Sequence, residues 1–240
     1  MNTAEKIIRP CTVSIVIPVL DEQEIINDRL EQLKTLKNPP CYEVIVVDGS
    51  PTHETLKAIH EKGIVRLSSA PGRGHQLNKG AAAATGDILL FLHADTSLPA
   101  NALRCIEAAL HDEHLVGGAF NHSIDSPRFL YKVVSHLIFY RSCLTRVPFG
   151  DQAIFLRRRY FDAVHGYKEI PLMEDMELMR RIKRKGGKIV LLRERVVTSP
   201  RRWDQEGVVL CTFRNWTIRT LYFLGVKPDS LIRFYARGQR

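Results

Sequence analysis

Four short segments of the sequence combine charged residues with prolines or glycines at points where predicted strands end. They are Pro18-Val19-Leu20-Asp21-Glu22, Asp48-Gly49-Ser50, Pro71-Gly72-Arg73-Gly74 and His93-Ala94-Asp95. Each segment alone is also typical of a turn or a helix start, because Pro and Gly end strands and carboxylates stabilise the first turn of a helix. Four successive strand ends with this content are poorly explained as four independent turns. Together they predict a site for a nucleoside diphosphate bridged by a metal ion.

The third of these segments, Pro71-Gly72-Arg73-Gly74, has the residue types that bind phosphate. Its glycines leave backbone amides approachable, a helix is predicted to begin beside it, and a guanidinium pairs well with phosphate oxygens. The segment is neither a P-loop nor a Gly-x-Gly-x-x-Gly dinucleotide loop. By itself it leaves an ordinary turn and an anion site equally open.

The fourth segment contains two candidate metal ligands, His93 and Asp95, directly after an apolar strand. Mg²⁺ and Mn²⁺ prefer oxygen ligands, and Mg²⁺ is often held by one or two carboxylates together with substrate phosphates. We therefore expect Asp95 to bind a divalent metal, with His93 as a candidate nitrogen ligand for Mn²⁺. The alternative is a helix N-cap within residues 95–97 beside a hydrogen-bonded histidine.

Strand and helix patterns alternate in the first half of the sequence. Strands are predicted for residues 13–17, 43–47, 64–67 and 87–92. Helices are predicted for residues 23–36, 52–62 and 75–84. The strands are apolar almost throughout, which is typical of a parallel sheet covered by helices on both faces. The carboxyl ends of such strands share one edge of the sheet, where ligands bind, so the four segments are expected to meet there.

The rhythm changes after about residue 115. Further strands are predicted for residues 116–121, 153–156, 188–192 and 196–197. Further helices are predicted for residues 129–146 and 174–185, and amphipathic helices from about residue 205 onward. No linker rich in Pro, Gly or Ser divides the chain. We expect one α/β domain in residues 1–204 and a basic helical extension in residues 205–240, packed on the domain or at a membrane surface.

The charge of the chain is unevenly distributed along its 240 residues, which carry a net charge of +9. Residues 180–240 contain 16 Lys and Arg against 4 Asp and Glu, whereas residues 1–179 contain 19 against 22. Such an excess predicts a polyanionic partner, either nucleic acid, a phosphate-bearing substrate or an anionic membrane. Residues 213–237 mix aromatic and basic side chains, which suits a membrane interface and suits packing on the domain equally well.

Composition excludes several classes of protein. Hydrophobic residues make up 45% and charged residues 25%, which is ordinary for a globular protein and not for a disordered or fibrous one. The five cysteines are widely spaced without a C-x-x-C pair, which argues against a disulfide framework and a zinc ribbon. The N-terminus lacks a signal-peptide pattern, and no apolar run approaches the roughly 18–20 residues of a membrane span. We expect a cytoplasmic protein with a candidate peripheral contact on the inner face of the membrane.

The order and spacing of the motifs resemble the family 2 glycosyltransferases of GT-A fold. The resembling residues are Val13-Ser14-Ile15-Val16-Ile17-Pro18 with Glu22, Val46-Val47-Asp48-Gly49-Ser50, Gly72-Arg73-Gly74 with Asn78-Lys79-Gly80, Ala84-Thr85-Gly86-Asp87, Leu92-His93-Ala94-Asp95, Gly150-Asp151-Gln152 and Glu174-Asp175. The resemblance implies a GT-A (Rossmann-like) α/β fold, with a mostly parallel central sheet flanked by helices and a helical C-terminal extension. It also implies inverting transfer of a sugar from a nucleotide-diphospho-sugar donor, assisted by a divalent metal, Mn²⁺ or Mg²⁺.

Position by position, the resemblance assigns the donor site to the strand ends. It places the donor near Pro18, Glu22 and Asp48 at the base and ribose, and near Arg73, Gly74 and Asn78 beside the nucleotide. Asp95 matches the second carboxylate of the family's Asp-x-Asp motif, which meets the metal and the diphosphate. His93 stands where the family has the first Asp.

The acceptor side follows from the later motifs. Asp175 matches the carboxylate usually taken as the catalytic base, and Glu174 lies beside it; both also suit the first turn of a helix, where carboxylates are favourable. The candidate acceptor-binding residues are Gly150, Asp151, Gln152, Arg202 and Trp203. Trp203 suits stacking on a sugar and suits a place in the core. The acceptor, lipid-linked or not, stays unidentified.

Three other interpretations compete with sugar transfer. A nucleotidyltransferase usually has a Gly-rich basic loop after its first strand, but here that loop ends in Asp21 and Glu22. A nucleic-acid-binding protein would carry a helix-turn-helix, zinc or aromatic RNA motif, and the strand-end carboxylates would repel a polyanion, so we expect no nucleic acid. A non-catalytic or regulatory nucleotide-sugar binder of the same fold stays open because of His93.

Overall fold

The computed structural model describes residues 13–236, without the side chains of residue 202 and residues 233–236. The strands in this range are β1 (Val13–Val19), β2 (Tyr42–Asp48), β3 (Val65–Ser68), β4 (Ile88–Phe91), β5 (Thr96–Ser97), β6 (Leu115–Ile124), β7 (Phe155–Arg157) and β8 (Lys188–Thr198). They form one sheet in the order β3-β2-β1-β4-β7-β6-β8-β5. The pairs β1–β2, β1–β4, β2–β3 and β6–β8 are parallel, and the pairs β4–β7, β6–β7 and β5–β8 are antiparallel.

The helices cover both faces and one end of the sheet. They are α1 (Ile26–Lys34), α2 (Glu54–Ala58), α3 (Arg73–Ala83), α4 (Ala102–Ala109), α5 (Phe129–Thr145), α6 (Arg158–Ala163), α7 (Glu174–Arg184), α8 (Arg201–Glu206), α9 (Val208–Phe223) and α10 (Pro228–Ala236). A short 3-10 helix, Gly150–Gln152, lies between α5 and β7. The expected α/β fold, a mostly parallel sheet flanked by helices with further helices at the C-terminal end, is confirmed.

The two-residue period of the strands divides the core into two layers. In β1, Val13, Ile15 and Ile17 pack on one face with residues of α1 and α4, whereas Val16 packs on the other face against α3. Gly80 makes the second contact possible, because a Cβ there would lie 2.3 Å from Cγ1 of Val16. Close packing of α3 on β1 fixes the first turn of this helix next to the carboxyl ends of β1 and β2.

Several element boundaries differ from the sequence prediction. Helix α3 begins at Arg73 and not at residue 75, so Arg73 and Gly74 lie in its first turn. Helix α2 ends at Ala58, because the following residue takes an extended conformation. The predicted strands 188–192 and 196–197 are one strand, β8, which runs past a register shift in its pairing with β6.

Short elements were also missed by the periodicity of the sequence. Strand β5, and not a helix N-cap, occupies Thr96–Ser97, because both residues pair with the end of β8. Helices α4 and α6 have no predicted counterpart, and the C-terminal helices begin at Arg201 rather than near residue 205. These elements are stabilised by contacts with distant parts of the chain, which local periodicity does not report.

The C-terminal helices pack on the domain through a few buried side chains. Cys211, Ile218 and Leu231 are fully buried, and Trp203 packs on a small cluster of α5 side chains. Among residues 13–236, none of the helices has the length and hydropathy that a membrane span requires.

Candidate active site

A cleft of about 180 Å³ brings together residues from strand ends, helix starts and the C-terminal helices. The sequence-predicted residues that line it are Arg73, His93, Asp95, Asp151, Glu174, Asp175 and Trp203. Helix α9 adds Asn215, Ile218 and Arg219, which the sequence prediction did not include. The cleft therefore lies between the carboxyl edge of the sheet and the helical C-terminal end.

The carboxyl end of β2 carries a buried acceptor. Asp48 is fully buried, and its Oδ1 accepts a hydrogen bond of 2.8 Å from the backbone N–H of Ser50. Its Oδ2 is buried without a hydrogen-bond partner among the described residues. Leaving a buried carboxylate oxygen unpaired is costly in free energy, and Asp48 is not among the residues that line the cleft. Pro18 lies at the same edge, opposite Val47 in the register of β1 and β2.

A buried glutamine ties these strand ends to α3. The Nε2 of Gln76 donates to the backbone carbonyls of Val19 (2.6 Å) and Val47 (2.9 Å). It thereby holds the ends of β1 and β2 together. Sequence reasoning missed Gln76; the available signal was a long polar side chain among the small and apolar residues of the inward face of α3.

Glu22 links the first strand end to the C-terminal part of the chain. Its Oε2 lies 3.3 Å from Nη2 of Arg201. Burial raises the pKa of the Glu22 carboxyl, an effect that Arg201 opposes and Asp95 reinforces. The negative charge of Asp95 therefore raises the pKa of Glu22, so these two predicted donor residues interact electrostatically.

Arg73 and Glu174 form an ion pair across the cleft, with 3.6 Å between Nη1 and Oε1. Arg73 is half exposed, whereas Glu174 is buried at the start of α7. Burial raises the pKa of Glu174; Arg73 opposes this shift and Asp175 adds to it. The guanidinium thus compensates a buried carboxyl while keeping part of its surface open toward the cleft.

Gly74 and Asn78 lie outside the lining of the cleft and hold a loop in place. A Cβ on Gly74 would lie 2.6 Å from the carbonyl oxygen of Lys168, so only glycine permits this close approach. The Asn78 side chain donates to the carbonyl of Tyr167 (2.9 Å) and accepts from its N–H (2.8 Å). Both residues fix the chain that leads to α7, and so they position Glu174 and Asp175.

Asp175 is oriented by two backbone N–H groups. Its Oδ2 accepts a hydrogen bond of 2.7 Å from Gly150, and its Oδ1 accepts one of 2.6 Å from Met176. Gly150 also touches His93, since a Cβ on Gly150 would lie 2.7 Å from Nε2 of that ring. Burial lowers the pKa of His93, with Arg73 acting in the same direction and Asp95, Asp151 and Asp175 opposing it. The imidazole therefore favours its neutral form.

Asp151 lies among basic side chains. Burial alone would raise its pKa, but His122, Arg219, Arg141 and His93 outweigh it and lower the pKa. Nε2 of His122 lies 3.9 Å from Oδ2 of Asp151. His122 is fully buried, neither ring nitrogen has a hydrogen-bond partner among the described residues, and burial lowers its pKa. Sequence reasoning missed His122; its signal was a polar pair inside the apolar strand β6.

Gln152 anchors the turn that presents Gly150 and Asp151. Its Oε1 accepts hydrogen bonds from the Ser142 hydroxyl (2.8 Å) and the Phe149 N–H (3.2 Å), and its Nε2 donates to the Phe120 carbonyl (3.0 Å). Its side chain is thus bonded within the protein and does not line the cleft. The side chain of Arg202 lies outside the described residues.

The donor set of the cleft fits a divalent cation that takes most of its ligands from elsewhere. Among the described residues, no three His, Cys, Asp or Glu side chains are grouped so that they could hold a metal ion by themselves. Asp95 offers a carboxylate whose Oδ1 also accepts from the Thr96 hydroxyl at 3.1 Å. One carboxylate with a neighbouring imidazole suits Mg²⁺ or Mn²⁺ when a diphosphate and water complete the shell.

Comparison with known proteins decides the family. The sequence profile described as glycosyl transferase family 2 matches residues 14–166, more than half of the chain. The chain belongs to glycosyl transferase family 2. The matched range contains the strand ends with Asp48, Arg73, His93 and Asp95, whereas Asp175 lies beyond it.

Sequence relatives of this family 2 glycosyltransferase match parts of it. Glucosyl-3-phosphoglycerate synthase of Mycolicibacterium smegmatis is 34% identical over 93 residues, which are 35% of this chain and 31% of that protein. The PGL/p-HBAD biosynthesis glycosyltransferase of Mycobacterium tuberculosis is 31% identical over 156 residues, 53% of this chain and 58% of that protein. The chain thus spans from 31% to 58% of the length of these curated relatives.

Solved structures share the fold. The mannosyltransferase PcManGT of Pyrobaculum calidifontis, in complex with GDP-Man and Mn²⁺, superimposes with a TM-score of 0.64 at 20% identity, over 96% of this chain and 70% of that one. TarS of S. aureus in complex with UDP gives a TM-score of 0.58 at 18% identity, over 78% of this chain and 60% of that one. The family 2 glycosyltransferase described here therefore has the GT-A fold.

Proposed function

We propose that this protein transfers a sugar from a nucleotide-diphospho-sugar to a hydroxyl group of an acceptor, with inversion at the anomeric carbon. The observation that carries the proposal is the cleft itself, in which Arg73 and Asp95 from the sheet edge face Asp175 from the start of α7. The names of the family and of the neighbours bound to GDP-Man and UDP support a nucleotide-sugar donor.

The residues on the donor side bind and orient the nucleotide-sugar. The unpaired Oδ2 of Asp48 accepts a hydrogen bond from the base or ribose, and the Arg73 guanidinium pairs with the diphosphate. A divalent metal held by Asp95, with His93 next to it, would offset the negative charge that grows on the leaving diphosphate. The neighbour with GDP-Man and Mn²⁺ supports this cofactor.

The acceptor side supplies the base. The acceptor hydroxyl oxygen forms a bond to the anomeric carbon while the bond from this carbon to the diphosphate oxygen breaks, and the hydroxyl proton moves to Asp175. The Gly150 and Met176 N–H groups hold the carboxylate in place and leave lone pairs for the proton. Attack from the face opposite the diphosphate inverts the anomeric carbon.

The test is Asp175→Asn, which keeps the shape of the side chain and removes the base. We expect nucleoside diphosphate release from UDP-, GDP- or dTDP-sugars with Mn²⁺ to fall by about 10²–10⁴-fold, the usual contribution of general-base catalysis. The donor that raises the Tm of the wild type should raise the Tm of the variant equally, because the donor contacts are unchanged. Asp162→Asn, on the exposed surface of α6, is the matched control.

Two outcomes would change the proposal. Turnover at the wild-type rate in Asp175→Asn removes Asp175 as the base. A wild-type protein that is stabilised by a nucleotide-sugar but releases no nucleoside diphosphate with any donor and metal supports the alternative, a non-catalytic or regulatory nucleotide-sugar-binding protein.

We also propose that the outer faces of α5 and α9 contact an anionic membrane. Apolar residues recur at helical spacing on these exposed faces, and contiguous apolar patches on a surface usually mark an interaction site. The exposed residues are Phe129, Val133, Leu137, Tyr140 and Leu144 on α5, and Val209, Phe213, Trp216 and Phe223 on α9. The excess of Lys and Arg in residues 180–240 is opposite in sign to the charge of an anionic membrane and so favours binding to it.

Vesicle co-sedimentation tests this contact. The double variant Phe213→Ser/Phe223→Ser should lose binding to vesicles that contain phosphatidylglycerol, because it removes two of the most exposed aromatic side chains of α9. Leu20→Ser, which replaces an exposed leucine directly after β1, is the control and should bind as the wild type does. Equal sedimentation of all three proteins, or of none, contradicts the membrane contact.

A further inference from the structure

A second cavity, of about 530 Å³, lies between α5, α7 and α9, and we refer to its lining as the basic pocket. Its cations are Arg141, Arg180, Lys183, Arg184 and Arg219. The rest of the lining is mainly apolar and includes Val147, Phe149, Met176 and Phe223. None of the described residues that line the basic pocket is Asp or Glu. An anionic group with an apolar substituent matches this lining.

Two of the cations are close together and partly removed from water. The guanidinium carbons of Arg141 and Arg219 lie 3.5 Å and 4.0 Å from the centre of the Phe149 ring. Nη2 of Arg141 donates to Ser142 (2.9 Å) and Gln152 (3.3 Å), but its Nε and Nη1 are buried without an acceptor among the described residues. Burial, together with the positive charge of Arg219, lowers the pKa of Arg141 to about 9, and Asp151 and Asp175 oppose the shift only in part. A buried guanidinium with unused donors beside a second cation is stabilised by an anion.

The other three cations of the basic pocket belong to α7. Arg180, Lys183 and Arg184 share a helix face by their spacing. Lys183 donates to the carbonyl of Thr145, at the end of α5, and Arg180 lies over the Phe223 ring at 5.4 Å. Neither contact neutralises a charge, so the positive field of the pocket remains available to a ligand.

The basic pocket adjoins the active-site cleft. Phe149 and Arg219 line both cavities. Met176 lines the pocket, and its chain neighbour Asp175 lines the cleft. A molecule whose anionic group sits in the pocket therefore extends toward the proposed base by passing Phe149 and Arg219.

We propose that the basic pocket binds a phosphate group of the acceptor, and so that the acceptor is a phosphorylated molecule anchored beside Asp175. This inference rests on the proposed function and specifies its acceptor class. Guanidinium groups bind phosphate through paired N–H donors, and several of them around one cavity favour phosphate over a neutral group. A lipid phosphate and a soluble phosphorylated metabolite share this chemistry.

Binding of alkyl phosphates tests the inference. Dodecyl phosphate below its micelle concentration, inorganic phosphate and neutral dodecanol are titrated into the full chain by calorimetry, in the presence of a saturating nucleoside diphosphate that occupies the donor side. The variant Arg180→Gln/Lys183→Gln should bind dodecyl phosphate at least tenfold more weakly than the wild type. Lys57→Gln/Arg159→Gln removes the same charge from exposed positions elsewhere and should leave the affinity unchanged.

The ligands distinguish the sources of the phosphate. Tighter binding of dodecyl phosphate than of inorganic phosphate supports a lipid phosphate, and equal binding supports a soluble phosphorylated acceptor. Equal binding of dodecyl phosphate to the wild type and to Arg180→Gln/Lys183→Gln overturns the inference, as does equal binding of dodecanol and dodecyl phosphate to the wild type.

The same proteins separate this inference from the proposed function. Donor-induced Tm shifts and nucleoside diphosphate release are measured on the wild type alongside the titrations. If Arg180→Gln/Lys183→Gln binds dodecyl phosphate as the wild type does, while the wild type still binds the donor and releases nucleoside diphosphate, only the phosphate pocket is overturned. Absence of donor binding by the wild type overturns the proposed function.

Discussion

The two walls of the cleft are built by different means. On the proposed donor wall, Asp48 is the last residue of β2 and Asp95 lies between β4 and β5, so the parallel pairing of β1 with β2 and β4 brings them to one edge of the sheet. On the proposed acceptor wall, Asp151 and Asp175 lie on a short turn and a helix start that are joined by a hydrogen bond from Gly150 to Asp175. The sheet thus positions the donor wall, whereas the acceptor wall depends on contacts between segments far apart in sequence.

The charges of the two walls also differ. At the proposed donor wall, Arg201 pairs with Glu22, Arg73 pairs with Glu174, and Asp95 suits a divalent metal. The proposed acceptor wall adjoins a pocket of cations and apolar side chains. The two proposals together assign one phosphate site to each wall.

Of the effects that compare the two walls, the largest is expected where Gly150 contacts His93 and Asp175. In Gly150→Ala, the new Cβ would lie 2.7 Å from Nε2 of His93 and 3.5 Å from Oδ2 of Asp175, so the turn has to move. We expect nucleoside diphosphate release to fall by about 10²-fold, as for a displacement of about 1 Å at a reacting group. Steady-state kinetics with the donor that stabilises the wild type measure this loss.

The proposed base and ribose contacts of the donor do not include Gly150 or His93. The Tm shift that the nucleotide induces in Gly150→Ala without added metal is expected to equal that of the wild type, which separates a misplaced base from a damaged fold. A variant with wild-type turnover would show that the contact between the 150–152 turn and Asp175 does not orient the base.

The next effect falls on the donor wall. Asp48→Asn keeps an oxygen for the Ser50 N–H but offers a donor where Oδ2 now offers an acceptor. Nucleotide affinity should fall by about 10–100-fold, since a hydrogen bond to a charged group contributes about 1.5–3 kcal/mol. Titration calorimetry with the preferred nucleoside diphosphate checks the Kd, and Asp87→Asn, on the exposed surface, serves as the control. An unchanged Kd would place the base and ribose away from Asp48.

The smallest expected effect concerns pH and the acceptor wall. Burial lowers the pKa of His122 below its ordinary value of 6.5; Asp151 and Asp95 oppose the shift, and Arg141 and Arg219 add to it. The unfolded chain therefore takes up a proton at this position before the folded chain does, and stability falls as the pH falls below about 6.5.

Removing the titrating ring should remove that dependence. Between pH 7.5 and 5.5, the wild type should lose more free energy of unfolding than His122→Gln does, with a slope of at most about 1.4 kcal/mol per pH unit for one proton. Urea unfolding at the two pH values measures the difference, and His114→Gln, at an exposed position, is the control. Identical pH dependence of the wild type and His122→Gln would show that the ring titrates normally in the folded protein.

The sequence prediction was most successful where local pattern and ligand chemistry coincide. Arg73, His93 and Asp95 were expected near Glu174 and Asp175 and do line one cleft with them. Polar residues at predicted strand ends can be assigned to one sheet edge without knowledge of the tertiary structure, because parallel strands have a common direction. The roles assigned to these residues stay predictions.

Residues whose partners are distant in sequence were assigned less well. Asn78 and Gln152 were predicted to contact ligands, but the polar atoms of their side chains bond to Tyr167, Phe149 and Phe120. Gln76 and His122 were not predicted, although Gln76 bonds to the ends of β1 and β2 and His122 lies beside Asp151. A side-chain amide or imidazole gives the same signal in the sequence whether it faces a ligand or a buried backbone group.

The uneven charge of the chain also has one aspect that the sequence reveals and one that depends on contacts between distant segments. Composition alone shows that the last quarter of the chain is strongly basic. Residue spacing predicts an α/β sheet whose strand ends carry carboxylates and an arginine. That Arg180, Lys183 and Arg219 meet Arg141 of α5 in one pocket beside the cleft is visible only in the folded protein. Packing of α9 on α5 and α7 depends on a few buried contacts between distant segments, and no local pattern specifies which helix faces come together.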